Sequence, residues 1–213
     1  MADAAVFADD PLSDLRTQWQ QLVSPDEHPM DSLVQRHRER HRRYHNVQHV
    51  VAVVRHVTTL ATTETVDDLG VVVAAAWYHD AVYEPRSSSN ERASARLATR
   101  DLARLGWVND RVETAAAMIE ATAHHTEPVC LDAAVLFDAD LAILGSDSDM
   151  YASYVSGVRG EYAHIDDEAW VSGRTNVLQS FLTRSHIYAT ASGADRWESA
   201  ARANLTAELD SLG

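Results

Sequence analysis

Asp67-Asp68-Leu69-Gly70-Val71-Val72-Val73-Ala74-Ala75-Ala76-Trp77-Tyr78-His79-Asp80-Ala81-Val82-Tyr83 is apolar almost all round until a His-Asp pair interrupts it near its end. A helix that is apolar on every face is expected at the centre of a bundle. The valines at 71–73 suit a strand, but the Ala-Ala-Ala-Trp that follows favours helix. Outward from this run the punctuation is sparse, with 8 Gly and 5 Pro in 213 residues. The intervening segments are rich in Ala, Leu, Arg and Glu, good helix formers. The expectation is an all-α helical bundle, a single domain over 1–213. Helices are expected over 13–23, from Met30 onward with a continuation or a break near Tyr44 into 45–63, and over 67–83. Others follow over 90–105, 109–124, 131–144, 148–159, 167–188 and 195–212, with Gly106 and Gly145 as stops.

The formal charge is −14, from 18 basic and 32 acidic residues, and every basic side chain is arginine. Such a surface repels nucleic acid phosphates and anionic lipid, so duplex nucleic acid is excluded as a partner. A small phosphorylated substrate stays admissible, because a bound metal reverses the field locally. The lone cysteine, Cys130, forms no intrachain disulfide and fits a reducing compartment. The stretch from Met1 to Leu15 carries acids where a secretory leader needs a basic start. The longest apolar run, 69–78, is too short to span a bilayer. A cytoplasmic protein without membrane contact is expected.

Eleven histidines are present, several beside aspartates. His79-Asp80 closes the central helix, and a carboxylate there must be paired, exposed or metal-bound. His45 and His49 stand four apart, neighbours on a helical face. The same stride reaches back through His41 and His37, which read as a polar helix stripe, whereas His49 lies among Val47, Val50 and Val51. Asp138 and Asp140 interrupt the apolar segment 135–144. Two apart on a helix, they point in opposing directions, so only one can face a given ion. His28, His56, His164 and His186 read as surface residues. Arg36, Arg38, Arg40, Arg42 and Arg43 read as a solvated helix face, or else as a patch steering an anionic substrate.

The order His49, His79-Asp80, Asp140 resembles the HD superfamily of metal-dependent phosphohydrolases. It is most similar to a subgroup of HD-type phosphohydrolases carrying Tyr-His-Asn-x-x-His, here Tyr44-His45-Asn46 to His49. Further matching stretches are His79 to Tyr83, Asn90-Glu91 with Ser94-Ala95, Ala121 to His125, and Asp138-Ala139-Asp140-Leu141 up to Gly145. The resemblance spans about residues 30–190 and implies an HD-domain helical bundle. It implies His49, His79, Asp80 and Asp140 as ligands of a divalent metal ion, with His45 as general acid. His45 and Asp80 are thus the candidate catalytic residues. Read as a helix-surface residue, His45 would have no such role.

His124 and His125 either ligate a second ion, His125 being favoured, or merely end a helix where imidazolium suits the dipole. Asn90, Glu91 and Arg86 are pocket candidates, although Ser88-x-x-Glu91 also fits a capping box. Asp138 precedes Asp140 without an assigned role. A departure from the family is Tyr83, where some nucleotidases carry a glutamate, with Glu84 one step later. The expected activity is hydrolysis of a phosphomonoester or phosphodiester, with a nucleotide as the expected substrate. Mixed imidazole and carboxylate ligation admits Mn, Fe, Co, Ni, Zn or Mg. The alternatives are an HD-fold di-iron oxygenase, needing extra histidine ligands, and a non-catalytic metal- or ligand-binding module.

Overall fold

The computed structural model describes residues 12–213. The leaderless reading of the N-terminus falls mostly on residues outside that range. Among the described residues the chain forms ten α-helices and no strand. These are α1 (Ser13–Leu22), α2 (His28–His37), α3 (Val47–Leu60), α4 (Leu69–Tyr78) and α5 (Asn90–Arg104). They are followed by α6 (Asn109–Ala121), α7 (Leu131–Leu141), α8 (Ser148–Glu161), α9 (Asp167–Leu182) and α10 (Ala191–Leu212). A 3-10 turn, Ala142–Gly145, prolongs α7. No described helix is long and apolar enough to cross a membrane.

The apolar run forms the central helix. Every residue of α4 from Gly70 to Tyr78 is buried, and α1, α2, α3, α5, α6 and α7 all pack on it. The side chain of Asp68 caps it by accepting from the Val71 N–H at 3.1 Å. Its end comes at Tyr78 rather than Tyr83, because the Ala81 N–H turns back to the Tyr78 carbonyl at 3.0 Å and the Val82 N–H goes to the Ser94 hydroxyl at 3.0 Å. Arg42 donates to the Asp80 carbonyl at 2.7 Å and to that of Ala81 at 3.2 Å.

The apolar side chains divide into two clusters. The larger surrounds α4, and the smaller lies among α8, α9 and α10. Helix α7 runs from one into the other: Val135, Leu136, Phe137 and Ala139 join the first, Leu141 and Leu144 the second. Asp140 stands at the crossing.

Several sequence expectations need correction. Of the two readings of the helix from Met30 the break holds, but it is wider than the one expected near Tyr44, since α2 stops at His37 and α3 begins at Val47. His37 is therefore no part of a polar stripe. It is fully buried, its Nδ1 2.9 Å from the Leu33 carbonyl. Arg42 is likewise buried, not a solvated face, and binds backbone through its guanidinium. Ser88 and Glu91 form no capping box, because the N-cap is Ser89 and no side chain bonds there. Helix α9 ends six residues before Tyr188, and α10 starts at Ala191, capped by Thr190, rather than at Asp195. Gly106 does adopt the left-handed conformation, φ 83°. Gly145 is required for a different reason: a methyl there would lie 2.5 Å from the Trp197 Cβ. His56 is half-buried against the Trp197 ring rather than a plain surface residue.

Candidate metal centre

Three helix ends bring the candidates together. The side chain of Asn46 caps α3, accepting from the Gln48 and His49 N–H groups, which sets His49 in the first turn and buries it. His79 sits at the C-terminal end of α4, fully buried. Asp140 occupies the last turn of α7. The Nε2 atoms of His49 and His79 lie 3.2 Å apart. The Asp80 Oδ2 is 3.3 Å from each of them. The Asp140 Oδ1 is 3.3 Å from His49 and 3.5 Å from His79. Ligand atoms of His49, His79 and Asp140 all fall within 4.8 Å of one another, and this trio could hold a metal ion.

The donor chemistry fits a cation. His79 Nδ1 lies 2.8 Å from the Ala76 carbonyl, which can only accept, so Nδ1 carries a proton and Nε2 is turned to the cluster. A metal-ligating histidine is oriented in this way by its second nitrogen. The electrostatics agree. Burial disfavours a charged His79, yet Asp80 and Asp140 outweigh burial and hold its pKa well above the ordinary range. His49 is raised in the same way by hydrogen bonds to Asp140 and Asp80. Against their own burial, His79 holds both Asp80 and Asp140 well below the usual carboxylate range, helped by His45 at the first and His125 at the second. The carboxylates thus keep protons on imidazole nitrogens that a cation could occupy instead.

Nothing in the sequence singles out Glu161, which reads as an acid at a helix end. It is buried, and its Oε1 accepts from the backbone N–H groups of Arg43, Tyr44 and His45 at 2.7, 2.8 and 3.0 Å. Its Oε2 lies 2.7 Å from His45 Nδ1 and accepts from the Tyr83 hydroxyl at 2.9 Å. Burial raises its pKa, but the bonds from His45 and from backbone N–H groups prevail and bring it to about 2. His45 therefore precedes α3 in a loop and is oriented by a carboxylate, its ring 5.6 Å from that of His49. Arg42 ties the same loop to the His-Asp segment by donating to the His45 and Asp80 carbonyls.

The remaining candidates separate. His125 joins the centre, its Nε2 2.9 Å from the Asp140 Oδ2. Its φ is 42°, a costly conformation for a side chain with Cβ. Arg184 holds that turn by donating to the His125 and His124 carbonyls. The His124 side chain is exposed, with no place in the cluster. Asp138 faces away and accepts from the Ala189 N–H, the Thr190 N–H and the Thr190 hydroxyl, so it is an anchor for α10 and not a ligand. Asn90 clips the Glu84 backbone through both of its amide atoms. Glu91 is half-buried on α5 outside the cluster, and Arg86 is exposed.

Two cavities flank the centre and share Tyr44, Asp140, Ile143 and Tyr154. One, of about 410 Å³, contains His45 and His125 and runs along α9. The other, of about 590 Å³, contains His49 and is rimmed by Asp147 and Asp149. Comparison with protein-family models, with curated proteins and with solved structures found no match to the chain.

Proposed function

We propose that the chain is a metal-dependent hydrolase of a phosphate ester, of the HD type. The observation that carries this reading is the meeting of His49, His79, Asp80 and Asp140 from three helix ends, with the His79 Nε2 turned inward by the Ala76 carbonyl. A divalent cation bound by these four would acidify a water molecule and offset charge on the phosphoryl group. The protein supplies the rest. His45 donates Nδ1–H to Glu161, leaving Nε2 as the nitrogen able to carry a proton to the leaving oxygen. Water oxygen bonds to phosphorus, the ester P–O bond breaks, and the alcohol leaves with the proton from His45. One of the two protons of the water returns to His45, and the other stays on the phosphate product. Glu161 positions this acid by fixing both the ring and the loop that carries it.

The oxygenase alternative requires additional histidine ligands between Asp80 and Asp140. The interval holds only His124 and His125, and the exposure of His124 weighs against it. The test is metal analysis of purified protein joined to a screen of phosphate esters, nucleotides included, with Mn, Fe, Co, Ni, Zn and Mg. His79→Ala and Asp80→Ala should abolish both metal retention and turnover while helicity persists. Full turnover in either variant would refute the assignment, and oxygen-dependent turnover with two irons per chain would replace it.

A further inference from the structure

The cavity on the His45 side has a composition that bears on the ester itself. Helix α9 presents Trp170, Gly173, Val177 and Phe181 along it, the three- and four-residue stride of one helix face. Protein covers this stripe only in part: Trp170 and Phe181 are half-buried, Gly173 is exposed and Val177 remains 44% exposed. The wall contains a single guanidinium among the described residues, Arg174, and it is engaged. Glu208 takes it in two parallel bonds of 2.7 and 2.9 Å, and the third contact is to the Tyr154 hydroxyl at 3.1 Å. No carboxamide lines the wall. Its uncharged polar groups are the hydroxyls of Tyr44, Tyr154 and Tyr162; a nucleotide would bring sugar hydroxyls, base edges and further phosphates in excess of these, with no free cation or carboxamide to take them, which is costly. An apolar group gains instead, by about fourfold in binding for each methylene removed from water.

His45 decides which cavity takes the leaving group. The acid that protonates the departing oxygen stands in this cavity and not in its neighbour, whose rim carries Asp147 and Asp149. We infer that the substrate is a phosphate ester of an apolar alcohol or phenol, whose hydrocarbon part lies along α9 between Trp170 and Phe181. The inference rests on the phosphohydrolase reading.

Gly173 offers a test that spares the metal centre. Gly173 lines the cavity and a Cβ there meets nothing within 4 Å, so Gly173→Leu adds apolar bulk at the wall from a position with open space around it, and it raises the helix propensity of α9. Manganese-loaded wild type and variant are compared on naphthyl phosphate, adenosine monophosphate and glycerol phosphate by kcat/KM. Both are also titrated calorimetrically with naphthylphosphonate, which cannot be hydrolysed at its P–C bond. Wild type should favour naphthyl phosphate over the other two by at least tenfold. Gly173→Leu should lower that preference at least tenfold through KM and weaken phosphonate binding similarly, with metal content unchanged. A preference for adenosine monophosphate, or a variant that binds and selects as wild type does, overturns the inference while hydrolysis stands. Phosphonate binding that Gly173→Leu abolishes, with no ester turned over, refutes hydrolysis and leaves the apolar preference of the cavity intact.

Discussion

His37 lies fully buried at the end of α2, its Nδ1–H given to the Leu33 carbonyl and its Nε2 without a hydrogen-bond partner. Burial lowers its pKa from 6.5 to about 3. The unfolded chain therefore binds a proton that the folded one refuses between these values. Stability from this residue is complete above pH 6.5 and falls with acidification, by up to about 1.4 kcal/mol per pH unit. His37→Phe should flatten that slope in urea titrations between pH 7 and pH 5, where an unfolded histidine takes up its proton. A slope as steep as that of wild type would show that the proton uptake belongs to another group. Glu161 acts lower on the scale. Its pKa is depressed from 4.5 to about 2, so its contribution is present above pH 4.5 and is lost as pH falls through that interval. Glu161→Gln keeps the shape but cannot accept from all five donors around the carboxylate, and should cost about 3 kcal/mol of stability. It should also lower kcat more than KM with phosphate esters, since it positions His45. An unchanged urea midpoint would contradict the network drawn around it.

At the scale of elements, α7 carries two aspartates with opposite duties. Asp138 receives three hydrogen bonds of 2.7 to 2.8 Å from Ala189 and Thr190, and the Thr190 hydroxyl in turn accepts from the Gly193 N–H. The start of α10 is thereby fastened to α7. Asp138→Ala should destabilise the protein by about 2 kcal/mol, the cost of leaving buried donors unpaired, and leave metal content unaltered. Asp140→Ala should do the reverse, removing metal with little loss of helicity. Equal metal loss in both variants, measured by elemental analysis, would mean that the two duties are not separate. The opposition follows from helix geometry, as residues two apart diverge by about 200°. That divergence was legible in the sequence. Which aspartate faces the histidine cluster was not, because it depends on where α3 and α10 pack around α7.

For the whole molecule, candidate ligands from three helices in one cluster mean that a bound ion would tie α3, α4 and α7 together. A ligand at one hundred times its Kd adds about 2.7 kcal/mol to folding stability. In a chain of this size that corresponds to a rise of about 5–10 °C in Tm. Addition of manganese to chelator-treated protein should produce it, and His79→Ala should show none. A shift of equal size in that variant would place the ion elsewhere.

The sequence by itself determined the helical class and the central position of α4, and it marked out His49, His79, Asp80 and the aspartates of α7 as unusual, their grouping into one site being what the resemblance implied. These follow from local pattern: sparse Gly and Pro, apolar residues on every face, and polar side chains in an otherwise apolar segment. Helix ends were less legible, as at Tyr78, because the Val82 N–H is taken by the Ser94 hydroxyl of another helix. Glu161 could not be read at all. Its role depends on a position 116 residues further along the chain folding back to put its carboxylate against the His45 loop. A buried acid and an exposed acid look alike in sequence, and only tertiary packing decides which of them meets a histidine.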